Sequence, residues 1–368
     1  MAAAQPRSLA SLRTPCAVVR RSVVQANCER MLERARALGV QLRPHVKTHK
    51  TVEGALLQTG GQKRTITVST LAEATFFAAA GFTDILYAVP ITPDKLEPVG
   101  ALLRSGTVLH VCVDHPDQLA PIVERASASA GAESWSVVIM VDCGMHRDGV
   151  PPDDPLVEEL AKAIAAAAPA VSLFGCCAPT PPVSSVATTT SSLPLTLPAA
   201  AVLLPDTHGG HSYTTEGLAA VKRVGAAERD AVTAVARRIQ DATGLELPSV
   251  GVGSTPSASN PPDHLDGVTE MHPGNFVFYD VMQCGFGSCT ESDIGLFTLT
   301  RVVGHYPRSN TLLIDLGWSG CVRAVPSPAL VAAVFYSYRC LEKSEQRSCL
   351  RRASKGRRPT SGRSWGSR

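Results

Sequence analysis

Apolar residues recur at intervals of three and four positions between residues 22 and 38, which is the spacing of one face of a helix. The residues on this face are Val24, Cys28, Met31, Ala35 and Leu38. Ser22 and Gln25 stand where a capping box would start the helix, and Gly39 stands where a C-terminal cap belongs. The pattern predicts an amphipathic helix over this segment.

Short apolar runs alternate with helical patterns along the following part of the chain. The predicted strands are Val40–Leu42, Thr65–Ser69, Asp84–Val89, Val108–Val113, Ser136–Val141 and Val171–Gly175. The predicted helices include Leu71–Ala80 and Pro93–Arg104. This alternation indicates a parallel sheet with helical crossovers, and enough units precede residue 257 to close a (β/α)8 TIM barrel. An open doubly wound sheet is the alternative fold.

The pattern changes in two regions. Strands without intervening helices are predicted at Asn275–Tyr279, Leu296–His305 and Thr311–Leu316, as in a β-rich domain. Segment 176–207 contains six prolines and many Thr and Ser residues, so we expect it to be inserted and disordered. The expected organisation is a barrel over 12–257 interrupted by that segment, a partial β-domain over 258–338 and a basic disordered tail over 339–368.

Composition narrows the class of protein. Of the 368 residues, 44% are apolar and 18% are charged, which excludes a wholly disordered or fibrous chain. No run of apolar residues is long enough for a membrane span, so we expect no membrane partner. The net charge of +3 depends on the tail, whose ten basic and two acidic residues sum to +8, whereas residues 1–338 sum to −5. Nucleic-acid binding is therefore expected, at most, of the tail. The odd number of cysteines, eleven, predicts free thiols and a cytoplasmic protein.

Lys47 is the first candidate for covalent chemistry. It follows a predicted barrel strand and lies among His45, His49 and Lys50. Positive neighbours lower the pKa of a lysine toward that of a nucleophilic amine. The alternative is a solvated basic loop, and position alone does not decide between the two.

The segment from Gly251 to Pro256 is the second candidate. Its Gly253-Ser254-Thr255 turn follows an apolar strand and offers backbone N–H groups and two hydroxyls, which suit a phosphate. Such turns are common and most hold nothing. Combined with a reactive lysine on a barrel, however, the turn indicates pyridoxal phosphate, an aldehyde cofactor with a phosphate group.

Three further groups of residues stand out. Arg147 follows a predicted strand, where it could bind an anionic oxygen or pair with Asp148 or Asp142. His208 and His211 lack an evident third ligand, so no metal site is predicted there. Cys284 and Cys289 do not form a CxxC pair and are interpreted as buried or idle thiols.

Four motifs in a fixed order point to a family. They are Arg43-Pro44-His45-Val46-Lys47-Thr48-His49-Lys50, Asp142-Cys143-Gly144-Met145-His146-Arg147-Asp148-Gly149, Gly253-Ser254-Thr255-Pro256 and Glu270-Met271-His272-Pro273-Gly274-Asn275-Phe276. Together they resemble the D-serine dehydratase and D-threonine aldolase family, whose members are pyridoxal-phosphate enzymes of the alanine-racemase-like fold type III. The resemblance covers roughly residues 12–175 and 208–320.

The resemblance implies roles for particular residues. Lys47 would form the internal Schiff base and act as the base at Cα, and Arg147 would face the cofactor's phenolic oxygen. Gly253, Ser254 and Thr255 would hold the phosphate, and Tyr213 would line the cofactor pocket. His45 and His208 are further candidates for substrate binding. The implied reaction converts D-serine to pyruvate and ammonia, with a zinc ion as Lewis acid near the leaving hydroxyl, and the implied assembly is a homodimer.

The chain departs from the family pattern in two places. Asp206 and Thr207, at the end of the 176–207 segment, stand where relatives have Tyr and Ala. No histidine follows His305, so the family's His-x-Cys zinc pair is absent and no metal ligand is assigned. We therefore predict a variant chain with an inserted segment and a replaced C-terminus after about residue 320. It would act as a D-serine dehydratase with little elimination activity, and a D-threonine aldolase or a non-catalytic cofactor-binding protein is the alternative.

Overall fold

The computed structural model describes residues 8–129, 131–178, 217–309 and 311–316. The strands are β1 (Cys16–Val19), β2 (Gln41–Leu42), β3 (Thr65–Val68), β4 (Asp84–Pro90), β5 (Val108–Val113), β6 (Trp135–Met140), β7 (Val171–Cys177), β8 (Ser249–Val252), β9 (Glu270–Met271), β10 (Leu296–Leu299), β11 (Val302–Tyr306) and β12 (Thr311–Ile314). The helices are α1 (Arg21–Ala37), α2 (Val52–Gln58), α3 (Leu71–Ala79), α4 (Leu96–Arg104), α5 (Pro116–Ala128), α6 (Leu156–Ala166), α7 (Leu218–Thr243), α8 (Thr255–Ser259) and α9 (Val281–Gly285).

Eight strands form one parallel sheet in the order β2-β9-β8-β7-β6-β5-β4-β3. A parallel bridge between His45 and Thr67 joins the two ends of this order, just beyond β2. The sheet is therefore a (β/α)8 barrel, as predicted, and the open doubly wound alternative is wrong. The carboxyl ends of all eight strands meet at one mouth, where the loops of such barrels carry chemistry.

Side chains that alternate between the two faces of the strands form two separate apolar cores. Ile85 and Tyr87 of β4 belong to the large core between the sheet and the surrounding helices, whereas Leu86 and Ala88 belong to a small cluster inside the barrel. Successive side chains of a strand point to opposite faces, so one strand supplies both cores. The strands are buried on both faces, which explains their almost continuous apolar sequences.

Helix α1 confirms most of the first prediction. Val24, Cys28, Met31 and Ala35 are buried, and Gly39 follows the helix in a left-handed conformation (φ +70°). The predicted capping box is wrong, because the helix begins at Arg21 and Ser22 already lies within its first turn.

A second compact unit contains β1 together with β10, β11 and β12, whereas the barrel unit spans Arg20–Gly295. Strand β1 pairs antiparallel with β10, and β11 pairs antiparallel with β12. The barrel thus starts after the predicted residue 12 and extends past the predicted end at 257, since β9 is a barrel strand. Residues 8–19 belong to the unit that was expected to be C-terminal alone.

Two predicted strands near the boundary differ from the structure. Asn275–Tyr279 is a short 3-10 turn, because the carbonyl of Asn275 accepts the backbone N–H groups of Phe278 and Tyr279. Leu296–His305 is divided into β10 and β11 at Arg301, whose backbone N–H binds a side-chain oxygen of Asp315 at 2.8 Å. Among the helices of the described residues, none is both long and apolar enough to cross a membrane.

Candidate active site at the barrel mouth

Lys47 lies in a 3-10 turn, Val46–Thr48, directly after the end of β2. The turn is supported from below by His45, whose Nδ1 accepts the backbone N–H of Lys47 at 3.3 Å. The Nε2 of His45 lies 3.2 Å from the hydroxyl of Ser69. Burial lowers the pKa of His45 well below its usual value, and the positive charge of Lys47 lowers it further. His45 is therefore a neutral support of the lysine turn, and its predicted contact with substrate stays a prediction.

The Gly253-Ser254-Thr255 turn connects β8 to α8. Gly253 has φ +132°, and Ser254 is the N-cap of the helix. The hydroxyl of Ser254 accepts the backbone N–H of Ser257 at 3.2 Å, and the backbone N–H of Ser254 donates to the hydroxyl of Ser257 at 3.1 Å. Ser254 thus holds the start of the helix. The backbone N–H groups at a helix start have no partner within the helix, so this turn offers donors to an anion.

The segment after β9 binds both of these loops. His45 donates its backbone N–H to Pro273 at 3.0 Å, and His272 donates its backbone N–H to Val252 at 2.8 Å. The backbone N–H of Asn275 donates to the hydroxyl oxygen of Thr255 at 2.9 Å. Because this hydroxyl accepts from Asn275, its own proton is directed elsewhere. The lysine turn and the candidate phosphate turn are therefore parts of one hydrogen-bonded junction.

Close backbone packing holds the junction together at Gly274. A Cβ at this position would lie 2.9 Å from the carbonyl oxygen of His45 and 3.0 Å from its Cβ. The carbonyl of Gly274 also accepts the side-chain amide of the buried Gln58 at 3.2 Å. A side chain at position 274 would push the lysine turn away from the segment after β9.

Arg147 lies in the loop after β6, four strands from β2 in either direction around the barrel. Its guanidinium pairs with the carboxylate of Asp148, as one of the sequence-based alternatives predicted. Burial lowers the pKa of Arg147 and raises that of Asp148, while the pair itself opposes both shifts. Arg147 is thus at the same mouth as Lys47 but on its opposite side.

Carboxylates shape the Arg147 loop. One oxygen of Asp142 accepts the backbone N–H groups of Gly144 at 2.9 Å and His146 at 3.0 Å. Asp114 accepts the backbone N–H of Gly149 at 2.9 Å. Burial by itself would raise the pKa of Asp142, but the two N–H donors and the imidazole of His146 lower it overall. The carboxylate is therefore held in its charged form, which binds the loop.

Charged side chains fill the barrel beneath the mouth, which the sequence analysis did not predict. Glu270 binds the Nε of Arg43 at 3.0 Å, the hydroxyl of Ser249 at 2.6 Å and the Nε2 of His272 at 3.0 Å. Burial alone would raise the pKa of Glu270, but His272, Arg43 and Ser249 lower it well below its usual range. Both side chains come from one short stretch, since Glu270 is the first residue of β9 and His272 directly follows the strand.

The network continues across the barrel through Asp84. Arg43 forms an ion pair with Asp84, and the Nε2 of His110 lies 3.2 Å from the same carboxylate. The imidazole of His110 stacks on Phe174 with ring centres 3.7 Å apart. At the other end, the Nδ1 of His272 is buried and has no hydrogen-bond partner within the described residues. It offers one polar contact to a bound group.

Several predicted site residues lie outside the described residues. These are the candidates His208, His211 and Tyr213. Within the described ranges, no group of three or more His, Cys, Asp or Glu side chains could hold a metal ion. The structure therefore brings Lys47 together with Gly253, Ser254 and Thr255, and it leaves Tyr213 and His208 as predictions.

Comparison with known proteins agrees with this geometry. The model of the alanine racemase N-terminal domain matches residues 19–185. D-serine dehydratase of Dictyostelium discoideum is 36% identical over 83% of this chain and 73% of its own length. The solved D-threo-3-hydroxyaspartate dehydratase of Delftia sp. HT23 is 34% identical, with a TM-score of 0.72 over 85% of this chain and 74% of that one. D-threonine aldolase of Arthrobacter sp. is 39% identical over 43% of this chain and 41% of its own length.

The fold and the junction of the lysine and glycine-serine-threonine turns define an alanine-racemase-like barrel of fold type III. The chain belongs to the D-serine dehydratase family, a family of pyridoxal-phosphate-dependent lyases with D-threonine aldolase relatives.

Proposed function

We propose that this chain is a pyridoxal-phosphate-binding lyase whose substrate is D-serine or a related D-3-hydroxy amino acid. The proposed reaction converts D-serine to pyruvate and ammonia. The observation that carries the proposal is the junction at the barrel mouth, where the segment 272–275 binds both the Lys47 turn and the Thr255 hydroxyl. The match to a D-serine dehydratase over 83% of this chain supports the choice of substrate.

The residues of the junction fit the two ends of the cofactor. The amine of Lys47 would hold the aldehyde carbon, and the phosphate would bind the N–H groups of Gly253 and Thr255 and the Thr255 hydroxyl. Ser254 contributes by capping α8, which keeps these donors in place. When bound, the cofactor's ring accepts the electron pair left on Cα as its proton departs. Lys47 would take up that proton.

Arg147 would approach the cofactor's phenolic oxygen from the opposite side of the mouth. Asp148 orients the guanidinium there, since the two side chains form an ion pair. A guanidinium that donates to a phenolic oxygen stabilises its anionic form. Tyr213 would complete the wall of the pocket, as the resemblance of His208-Gly209-Gly210-His211-Ser212-Tyr213 to the family pattern implies.

The described residues contain no group of side chains that could hold zinc, and no histidine follows His305 to form the family's His-x-Cys pair. A hydroxyl leaves with difficulty unless a proton or Lewis acid assists it. We accordingly expect cofactor binding with slow elimination, including in the presence of added zinc.

The experiment that tests the proposal is an absorbance titration of the purified chain with pyridoxal phosphate. We expect a new absorbance band from the lysine-bound cofactor in the wild type and its loss in Lys47→Ala. The matched control is Lys50→Ala, three residues away, whose amine instead pairs with Glu73 at 3.0 Å. An unchanged band in Lys47→Ala would refute the assignment of the lysine.

Product analysis separates the related activities. Pyruvate and ammonia from D-serine would support the dehydratase, whereas glycine and acetaldehyde from D-threonine would identify an aldolase. The partial match to D-threonine aldolase is the observation that favours this second candidate. A chain that binds the cofactor and yields neither set of products is the non-catalytic alternative, and rapid pyruvate formation would contradict the expected slow elimination.

We further propose a cytoplasmic homodimer that acts on a small molecule. The free thiols among the described cysteines are compatible with a reducing compartment. Light scattering on the purified chain would give the oligomeric state, and a monomer would contradict this part of the proposal. Deleting the basic tail would test the remaining possibility of salt-sensitive nucleic-acid binding.

A further inference from the structure

Cys284 and Cys289 lie side by side although neither sequence spacing nor motif predicted it. Their sulfur atoms are 3.4 Å apart, and both thiols are partly accessible. The interpretation as buried or idle thiols took no account of this proximity. A disulfide has an S–S distance of about 2.05 Å, so small side-chain rotations separate the pair from covalent contact.

The end of α9 creates this proximity. Gly287, with φ +73°, donates its backbone N–H to Cys284 at 3.0 Å, and Ser288 donates to Gln283 at 2.9 Å. These two bonds form a Schellman motif, which reverses the chain after a helix and requires a residue that tolerates positive φ. The reversal returns Cys289 to the last turn of α9, next to Cys284. The pairing is thus built into the backbone.

Hydrogen bonds fix the start of the same helix. Asp280 accepts the backbone N–H of Gln283 at 2.8 Å and the side-chain amide of Asn275 at 2.7 Å. At the other end, the side-chain amide of Asn260 donates to the carbonyl of Gly287 at 3.3 Å. The loop that carries the two thiols is therefore held at both ends, which limits the entropy lost when the sulfurs join.

Metal binding is a poorer explanation of the pair. A structural metal site needs three or four ligands. The described residues provide no group of three or more candidate ligands, here or elsewhere. The chemistry left to two adjacent thiols is reaction with each other.

We propose that Cys284 and Cys289 form a reversible dithiol–disulfide site that is oxidised by a peroxide and reduced by a low-molecular-weight thiol. One thiolate attacks a peroxide oxygen, the O–O bond breaks, and water (or an alcohol) leaves with formation of a sulfenic acid. The second sulfur then attacks the sulfenic sulfur, and the S–O bond breaks as the S–S bond forms. A second water carries away the remaining proton, so two electrons pass from the thiols to the peroxide. This site does not depend on the proposed enzymatic function.

The surroundings predict how fast the pair reacts. Burial raises the pKa of Cys284, and the nearby carboxylates of Asp280, Glu291 and Asp293 add to this effect, whereas its contact with Cys289 lowers the pKa. Burial also raises the pKa of Cys289, and contact with Cys284 raises it further. Because the thiolate is the reacting form, oxidation is slow at neutral pH and accelerates as the pH rises.

Thiol mapping of the intact chain tests the proposal. The tryptic peptide 239–301 contains these two cysteines and no others. After treatment with hydrogen peroxide and a maleimide label, we expect this peptide to carry no label and to lack two hydrogen atoms. Subsequent reduction should restore two labelling sites. A peptide that still takes two labels after a peroxide dose that oxidises free cysteine would overturn the proposal.

The variants Cys284→Ser and Cys289→Ser are matched controls. Each variant should gain one oxygen atom as a sulfenic acid and give no intramolecular product that lacks two hydrogen atoms, because the second sulfur that would displace the S–O oxygen is absent. A wild type that, like the variants, only gains oxygen would mean that the thiols react independently, and this result would also overturn the proposal. Neither measurement requires bound cofactor or catalytic activity.

Discussion

The two sides of the barrel mouth are built by different interactions. On the Lys47 side, the loops are joined by backbone groups, as in the bonds from His45 to Pro273 and from His272 to Val252. On the Arg147 side, the loop depends on the carboxylates of Asp142 and Asp114. Backbone groups do not titrate, whereas carboxylates lose their charge in acid. The lysine side should therefore keep its shape across a wide pH range, while the arginine side should not.

A buried carboxyl group behind the lysine side is the main exception to this insensitivity to pH. Glu228 of α7 is buried beside Ser257 of α8, and burial raises its pKa from 4.5 to about 7 although Ser257 lowers it. The folded state therefore holds this proton more tightly than the unfolded state does. Stability from this group is fully present below the unfolded pKa and is lost as the pH rises through the folded pKa near 7.

We expect Glu228→Gln to raise the free energy of unfolding at pH 8.5 by roughly 3 kcal/mol, because the neutral amide removes the cost of a buried charge. At pH 4 the variant and the wild type should be equally stable. Urea unfolding at both pH values measures the difference. The exposed Glu246→Gln serves as control, with no such pH dependence. A Glu228→Gln variant that is equally destabilised at both pH values would show that the carboxyl is needed for packing instead.

The backbone junction can be broken at Gly274. Gly274→Ala places a Cβ against the backbone of His45, so we expect the affinity for pyridoxal phosphate to fall about thirtyfold, or about 2 kcal/mol. The control is Gly285→Ala, where a Cβ meets no atom within 4 Å. Absorbance titration of both variants gives the affinities. Equal affinities would show that the junction does not position the cofactor's binding groups.

The arginine side can be weakened at Asp142. Its lowered pKa means that its stabilising contribution is present at neutral pH and is lost as the pH falls through the folded value. We expect Asp142→Asn to lower the free energy of unfolding by about 1 kcal/mol at pH 7, with the difference vanishing in acid. Thermal unfolding across pH checks this. A difference that persists in acid would contradict the role of the charge.

Local sequence patterns predicted the barrel because each helix or strand has a recognisable apolar pattern within a few residues. The apolar stripe of α1 and the continuous apolar run of β5 depend only on periodicity and burial, so their limits agree with the structure within about one residue. The turn at Asn275 was mistaken for a strand. Its apolar residues resemble those of a strand. The backbone N–H of Asn275, however, donates to the hydroxyl of Thr255, which lies twenty positions earlier in a different loop, and a local pattern does not predict such a contact.

For the same reason, only part of the candidate site was predicted from the sequence. Lys47 and the Gly253-Ser254-Thr255 turn were found through motifs, but the capping role of Ser254 was missed. The network around Glu270 was also missed, because Arg43 and Ser249 reach it from separate strands. Burial of a charge becomes understandable only when all of its partners are known.

The class of fold, the chemistry available and the side of the barrel on which that chemistry lies could all be read from the amino-acid pattern. Those properties follow from short-range periodicity, and all parallel strands of a barrel end at one mouth. Three contacts emerged only from the folded chain: residues 272–275 join the lysine turn to Thr255, Glu228 is buried behind Ser257, and Cys284 meets Cys289. These contacts depend on distances between separate loops, which hydrophobic pattern and motif spacing do not specify.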